Sequence, residues 1–356
     1  MDKKIAILYV IDGLFQGGKE RQFVEILKGI DRNIFKIGIV TFNKNLFYSE
    51  QAKSLSDYFI ELDKTSNKFK PFFTIWTCFR DFKPDIVHTW DYLSSLYVYL
   101  PSKLKSVKFI NGSIRDSGTE KGWKNKLKKL MLKAADLVIA NSKAGLESYN
   151  VKGEVIYNAV NTERFNYIEQ NGEFNIIKVA NFTDYKNHKM FIDAAVKLVD
   201  NKIVDKVFLA GDGIYKDKYL KYIQEKSKFV FSKFNFLGSV SNIETVLNKC
   251  KVGILCSTIQ YSEGISNSVL EYMAAGLVPV ATNIGASSEI IENTKNGYLV
   301  KADSADDLFN KIKFIKENYD AHNQMIINAK NTINTKFNYQ NNIKKLSDLY
   351  IKNISK

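Results

Sequence analysis

Apolar and polar positions along the chain fall into two alternating patterns. Short β-branched or apolar runs at Ile5–Val10, Lys36–Thr41, Asp85–Thr89, Val107–Ile110, Leu137–Ala140 and Glu154–Tyr157 read as strands. Amphipathic stretches with helical spacing lie between them, at Glu20–Gly29, Lys70–Asp81 and Asn125–Ala135. This β–α alternation predicts a parallel sheet with helices on both faces. The rhythm breaks at Asn158–Gly172, which is polar and aperiodic and reads as a linker. A second series starts at Phe174–Ala180 and continues through strands at Lys206–Ala210, Phe234–Leu237, Val252–Cys256, Val278–Ala281 and Tyr298–Val300. Its helices are expected at Lys189–Val199, Ile243–Lys249 and Asn267–Ala275. The fold class that follows is α/β: two doubly wound, Rossmann-like domains, over 1–165 and 166–335. Residues 336–356 form a last helix able to pack back on the first domain. Ligands of such folds bind beyond the carboxyl ends of the strands, so a crevice between the two domains is the expected site.

Composition agrees with a folded protein of about two domains: 356 residues, 45% hydrophobic and 25% charged. Cys78, Cys250 and Cys256 lack metal-ligand spacing and read as buried, reduced thiols, which suits a cytoplasmic location. The first apolar run ends after seven residues at Asp12, the pattern of a buried strand and not of a signal peptide. No apolar stretch approaches the roughly 20 residues of a membrane-spanning helix.

The net charge of +14 is unevenly placed. Eleven Lys or Arg against three acids fall between Lys103 and Lys143. Within that stretch, residues 121–133 form a basic amphipathic pattern with Trp123, Leu127, Leu130, Met131 and Ala134 on one face. Two readings stand side by side: an anionic membrane surface as partner, or an ordinary surface helix with its apolar stripe in the core. No nucleic-acid recognition motif accompanies the charge.

The strongest chemical pattern follows the strand Val252–Cys256. A loop, Ser257–Gly264, leads into a helix near Ser266, with Glu263 at the loop's end and Glu271 eight positions later on the helix. Gly264 permits close approach of backbone to a ligand. The first-turn N–H groups around Ser266–Val269 suit a diphosphate. Glu271 suits a vicinal diol such as a ribose, and Glu263 suits sugar hydroxyls. Spacing alone leaves a second reading open, in which Ser268–Glu271 is a capping box and Glu263 an exposed loop acid.

The full segment, Ser262-Glu263-Gly264-Ile265-Ser266-Asn267-Ser268-Val269-Leu270-Glu271-Tyr272-Met273-Ala274-Ala275-Gly276-Leu277-Val278-Pro279-Val280, closely resembles the signature of the retaining glycosyltransferase family 4. Similar landmarks run through the chain: Gly17-Gly18-Lys19-Glu20-Arg21, Ala135-Asp136-Leu137-Val138-Ile139-Ala140-Asn141-Ser142, Val155–Asn161, Gly211-Asp212-Gly213 and Phe236-Leu237-Gly238. The resemblance implies the GT-B fold and a hexosyltransferase using a nucleotide diphosphate sugar, UDP- or GDP-linked, without metal or other cofactor. It implies that Glu263 and Lys186 carry the chemistry. It assigns Glu271, Gly264, Ile265, Ser266, Asn267, Asn181, Gly17 and Gly18 to nucleotide-sugar binding. Lys186 is expected to open the first helix of the second domain and to meet the leaving diphosphate. Taken alone, the adjacent glycines Gly17 and Gly18 mark no more than a turn.

The sequence also departs from the family. Asn181 stands where many members have arginine, and Asn111 where many have histidine. Arg115, in Gly112-Ser113-Ile114-Arg115, remains as an acceptor or donor contact, and His88 points to the carboxyl edge of its strand, where a structural role competes. No Asp-x-Asp motif or ligand-spaced histidine pair occurs. The function expected is retaining transfer of a sugar to a lipid-linked glycan acceptor in bacterial surface-polysaccharide biosynthesis, with peripheral attachment to the inner face of the membrane left open. Two rivals remain: a nucleotide-sugar epimerase on the same fold, and an inactive membrane-surface binding protein.

Overall fold

The computed structural model describes residues 3–63, 69–117, 122–165 and 172–354. The chain divides into two compact units, Met1–Asn158 with Tyr339–Lys356, and Ala159–Asn338. The chain therefore returns to the first unit for its last helix, and residues 159–165 belong with the second unit.

In the first unit the strands are β1 (Ile5–Ile11), β2 (Phe35–Thr41), β3 (Tyr58–Glu61), β4 (Ile86–Thr89), β5 (Lys108–Ile114), β6 (Leu137–Ala140) and β7 (Glu154–Val155). They form one parallel sheet in the order β3-β2-β1-β4-β5-β6-β7. The helices are α1 (Gly18–Gly29), α2 (Ser49–Ser54), α3 (Lys70–Asp81), α4 (Tyr92–Leu104), α5 (Trp123–Ala134) and α6 (Lys143–Tyr149). The central strands are apolar on both faces because both faces are covered: Ile7, Tyr9 and Ile37 pack on one side, Leu8, Val10 and Val87 on the other. Four of these elements, β3, α2, α4 and α6, lie outside the sequence pattern. β3 is a short, half-buried edge strand. α4 is apolar nearly all round and contains Pro101, so it shows no amphipathic period; Asp91 starts it by accepting the Ser94 N–H at 2.8 Å.

The second unit repeats the plan. Its strands are β8 (Ile176–Val179), β9 (Val207–Ala210), β10 (Phe234–Gly238), β11 (Val252–Leu255), β12 (Val278–Thr282) and β13 (Tyr298–Val300). They are parallel, in the order β10-β9-β8-β11-β12-β13. The helices are α7 (His188–Asp200), α8 (Lys216–Gln224), α9 (Lys228–Ser232), α10 (Ile243–Leu247), α11 (Asn267–Ala275), α12 (Ser287–Ile290), α13 (Ala305–Glu317) and α14 (Asn323–Lys336). In each unit the strand order reverses beside the first strand, between β1 and β4 and between β8 and β11. Those are the places where a doubly wound sheet opens a crevice at its carboxyl edge.

The last helix, α15 (Tyr339–Ile354), packs on the first unit. Tyr339 Oη donates to Glu25 O at 2.7 Å, and Asn342 Nδ2 to Tyr157 O at 3.0 Å. Gly29 is required beneath it, since a Cβ there would lie 2.6 Å from Tyr339 Oη. Tyr350 is fully buried, with its hydroxyl 3.0 Å from Tyr9 Oη and 2.7 Å from His88 Nδ1.

Candidate functional site

The carboxyl ends of β8 and β11 assemble a charged cluster in the second unit. The two strands pair only at Val252–Ile176 and Gly253–Ile177, then diverge. Side chains fill the opening. Tyr272 Oη, from α11, accepts the Val179 N–H at 2.7 Å and donates to Ile254 O at 3.4 Å. Lys178 Nζ donates to Cys256 O at 3.3 Å. Past β11, the Ser257 N–H donates to Thr282 Oγ1 at 3.0 Å, which fixes the first loop residue. The Thr258 N–H donates to Tyr185 O at 3.0 Å and ties this loop to the one after β8.

Glu263 is the centre of the cluster. Its Oε1 accepts from Lys186 Nζ at 2.6 Å and from Ser257 Oγ at 2.8 Å. Its carbonyl accepts the Ala286 N–H at 3.0 Å. Burial alone would raise the carboxyl's pKa; Lys186, Ser257 and Lys178 outweigh that and hold it below the ordinary carboxylate value. Glu263 is therefore an ionised, acceptor-only group in a partly dry setting.

Lys186 does not open α7. It ends a 3₁₀ turn, Asp184–Lys186, and α7 begins two residues later at His188. Asn187 separates them in the left-handed region (φ 39°, ψ 53°), with its side chain accepting the Met190 N–H at 3.2 Å. Asparagine tolerates that backbone and caps the helix in one step, so the chain turns before the helix can start.

Glu271 is not a helix cap either. α11 starts at Asn267 with Ser266 as its N-cap, and Ser266 makes no side-chain cap bond. Glu271 sits on the second turn, 1% exposed. With Ser268 already inside α11, Ser268–Glu271 cannot be a capping box. Gly264, Ile265 and Ser266 are buried at the entry to α11, Asn267 is half-buried, and Asn181 is exposed after β8. The structure thus gathers Lys186, Glu263 and the entry to α11 around the opening between β8 and β11.

Lys178 was not anticipated. It is 0% exposed on β8, and burial pushes its pKa down to about 8, with Lys186 lowering it further and Cys256 and Glu263 opposing. In sequence it looks like one polar position in an alternating strand, and only the topology reveals that both faces of β8 are covered. His188 is likewise buried, stacked on Phe182 at 4.3 Å, and held neutral chiefly by burial, with a pKa of about 2.

The first unit's candidates form two groups. Gly17 is the N-cap of α1 and Gly18 its first residue. The Glu20 side chain folds back so closely that a Cβ on Gly17 would lie 2.3 Å from its Oε2. Asp12 takes Lys19 Nζ at 2.5 Å, and Asp91 accepts the Asp12 N–H at 2.8 Å. The start of α1 thus already faces an anion from its own chain.

The second group lies on β4 and β5. His88 is 1% exposed and bonded through Nδ1 to Tyr350; burial and Arg115 push its pKa down to about 3. Arg115 lies 3.9 Å over the Trp90 ring, donates from Nε to Gly112 O at 3.0 Å, and is lowered by burial to about 10. Asn111 is buried, its Oδ1 accepting the Ser113 N–H at 3.0 Å. Gly112 is needed here, because a Cβ would meet His88 Nε2 at 2.5 Å. Neutral and locked to Tyr350, His88 lacks the exposure and titration range that an epimerase's acid–base group needs. Among the described residues no group of His, Cys, Asp or Glu has a metal-holding arrangement, and no helix is long and apolar enough to cross a membrane.

Comparison with known proteins decides the class. The family model described as "Glycosyl transferases group 1" matches residues 160–332, and that described as "Glycosyltransferase Family 4" matches residues 16–164. The chain is a glycosyltransferase. Among its relatives is the Escherichia coli UDP-Gal:alpha-D-GlcNAc-diphosphoundecaprenol alpha-1,3-galactosyltransferase, 24% identical over 311 residues, 79% of either chain. The Campylobacter jejuni GalNAc-alpha-(1->4)-GalNAc-alpha-(1->3)-diNAcBac-PP-undecaprenol alpha-1,4-N-acetyl-D-galactosaminyltransferase is 21% identical over 91% of this glycosyltransferase and 92% of that protein. Among solved structures, Anabaena HepE in complex with UDP superposes with a TM-score of 0.85 at 16% identity, covering 98% of this chain and 100% of that one. TarM does so with 0.80 at 15%, covering 98% and 99%. These likenesses establish the fold of the glycosyltransferase as GT-B, two parallel-sheet Rossmann-like domains.

Proposed function

We propose that this glycosyltransferase is a retaining member of family 4 that moves a hexosyl group from a UDP- or GDP-sugar to a lipid-linked diphosphate acceptor. The observation that carries the proposal is the Lys186–Glu263 ion pair at the opening between β8 and β11, with Glu271 buried on the helix that follows. In this reading Glu271 accepts from the ribose hydroxyls, and the entry to α11, from Gly264 to Asn267, receives the diphosphate. Lys186 neutralises the charge that grows on the leaving phosphate as the C1–O bond breaks. Glu263 accepts from sugar hydroxyls and keeps Lys186 aimed. The acceptor hydroxyl attacks C1 on the face the nucleotide leaves, and its proton passes to the departing phosphate oxygen. Gly17 and Gly18 are assigned to nucleotide-sugar binding, and Asn111 and Arg115 to acceptor or donor contact. The E. coli and C. jejuni relatives, named for undecaprenol diphosphate acceptors, support the acceptor class.

A second part of the proposal is attachment to an anionic membrane surface. α4 packs beside both α3 and α5. Their outer faces carry Phe69, Phe73 and Trp76, then Leu93, Leu100 and Leu104, then Trp123 and Leu130, all exposed. Exposed Lys70, Lys103, Lys105, Lys124 and Lys126 flank them, and Lys105 Nζ lies 5.5 Å over the Trp76 ring. Aromatic groups ringed by lysines suit the boundary of an anionic bilayer. The basic helix therefore differs from the pattern reading. Lys128 turns inward to Asp116 and Tyr149, while Trp123 and Leu130 face outward; Lys121 lies outside the described residues.

Incubation with labelled UDP- and GDP-sugars plus a synthetic lipid diphosphate glycan tests the reaction. Free nucleotide with a new glycoside is expected. An isomerised donor would support the epimerase instead, and no turnover with any donor would support an inactive binding protein.

A further inference from the structure

Lys178 is the least explained charge in the molecule. It lies mid-strand on β8, at 0% exposure, among Ile176, Phe191 and Cys256. A methionine or leucine would fill such a space without the cost of burying an ammonium. Among the described residues its one hydrogen bond goes to Cys256 O, and no carboxylate is within ion-pair distance. Yet that bond falls at a telling place. β8 and β11 stop pairing at Gly253, so the Cys256 carbonyl has lost its neighbouring strand. The next residue, Ser257, holds Glu263 Oε1.

We propose that Lys178 is a positioning residue for sugar transfer: from beneath the site it pins the end of β11 through the Cys256 carbonyl, so that Ser257 and Lys186 hold Glu263 in place, and its charge supports the diphosphate as it leaves. The inference rests on the donor reading given above. The groups facing Lys178 are Lys186 from the loop after β8, His188 from α7, Cys256 at the end of β11, and Glu263. His188 is neutral; Lys186 is the cation that lowers the Lys178 pKa, and Cys256 and Glu263 act in the opposite direction. The Lys178 pKa is about 8, lowered first by burial. Below that pH the ammonium is present; as pH rises through it, the charge is lost.

Lys178→Met tests this. The variant is expected to melt at or above the wild-type temperature, to keep KM for the donor within about threefold, and to lose roughly tenfold in kcat at pH 7. The wild-type kcat is expected to fall above about pH 8, and the variant to lack that fall. A merely structural lysine would change stability but not remove one limb of the pH profile. Unchanged kcat and an unchanged profile would overturn the proposal. Should the variant not fold, the Lys178 ammonium of the wild-type protein is titrated by NMR with and without UDP or GDP. Its midpoint is expected to rise when nucleotide binds. Normal nucleotide binding with an unmoved midpoint overturns this inference alone; no binding of either nucleotide sinks the donor reading and this inference with it.

Discussion

Replacing Lys186 by methionine removes a cation in direct contact with Glu263. The pair is 2.6 Å apart, with side chains 18% and 16% exposed, so it lies between a fully buried and a surface ion pair. Breaking a buried pair by deleting one partner costs ~3–5 kcal/mol, and an exposed pair is worth ~0–1. At this exposure the cost is ~1–3 kcal/mol, or a fall of roughly 3–10 °C in the second unit's melting transition. The pH dependence has a definite sign. The folded Glu263 carboxyl is held below its ordinary value, so its stabilisation is present at neutral pH and is lost as pH falls through the folded pKa. Without Lys186 burial is left opposed mainly by Ser257, and the acid loss begins at higher pH. Under the proposed mechanism the transfer reaction suffers more, because Lys186 is assigned to the leaving phosphate: kcat is expected to drop about 10²–10³-fold. Steady-state transfer assays alongside thermal melts from pH 4 to 8 check both effects. Adding Glu263→Gln to the variant restores stability but not activity. A kcat for Lys186→Met within about threefold of wild type would refute the role given to the pair.

Glu271→Ala is expected to weaken UDP or GDP binding by roughly 10–100-fold in calorimetry, the effect of two lost hydrogen bonds to a carboxylate. Tyr350→Phe leaves Tyr9 and His88 without a shared buried partner and should cost ~1–3 kcal/mol in denaturant melts of the first unit, where α15 is clasped. His188 is neutral when folded but takes up a proton when unfolded below about pH 6.5, so it makes stability fall with acid at up to ~1.4 kcal/mol per pH unit. His188→Phe removes that slope, and melts at pH 5 and pH 7 should converge. Replacing Phe73 and Trp123 with serine should reduce sedimentation with anionic vesicles several-fold while leaving transfer to a soluble acceptor analogue unchanged.

The parallel sheets were readable because each strand is a contiguous run, and the glutamate pair because its residues fall within nine positions. What was hidden depends on distance or on covering. Tyr350 meets His88 across 262 residues, and no local pattern announces that. Lys178 looks solvent-facing until α7 and β11 close over it. α4 escaped because a helix that is apolar on nearly every side lacks the period by which helices are recognised. Lys186 falls two residues before α7 because Asn187 adopts a left-handed backbone that residue spacing does not express. In the first unit, Gly17 and Gly18 were legible as a loop, but the Glu20 carboxylate folded over Gly17 was not, because residue spacing does not express where a side chain turns.

The central claim is that a sugar leaves a nucleotide diphosphate held by Lys186, Glu263 and Glu271 and is passed on with its anomeric configuration kept. The most direct measurement is the NMR anomeric coupling of the first product formed from an α-configured UDP- or GDP-sugar and a lipid diphosphate acceptor. An α-linked product made by the wild type, and lost in Lys186→Met, is predicted. A β-linked product, or undiminished α-transfer by that variant, would contradict the account.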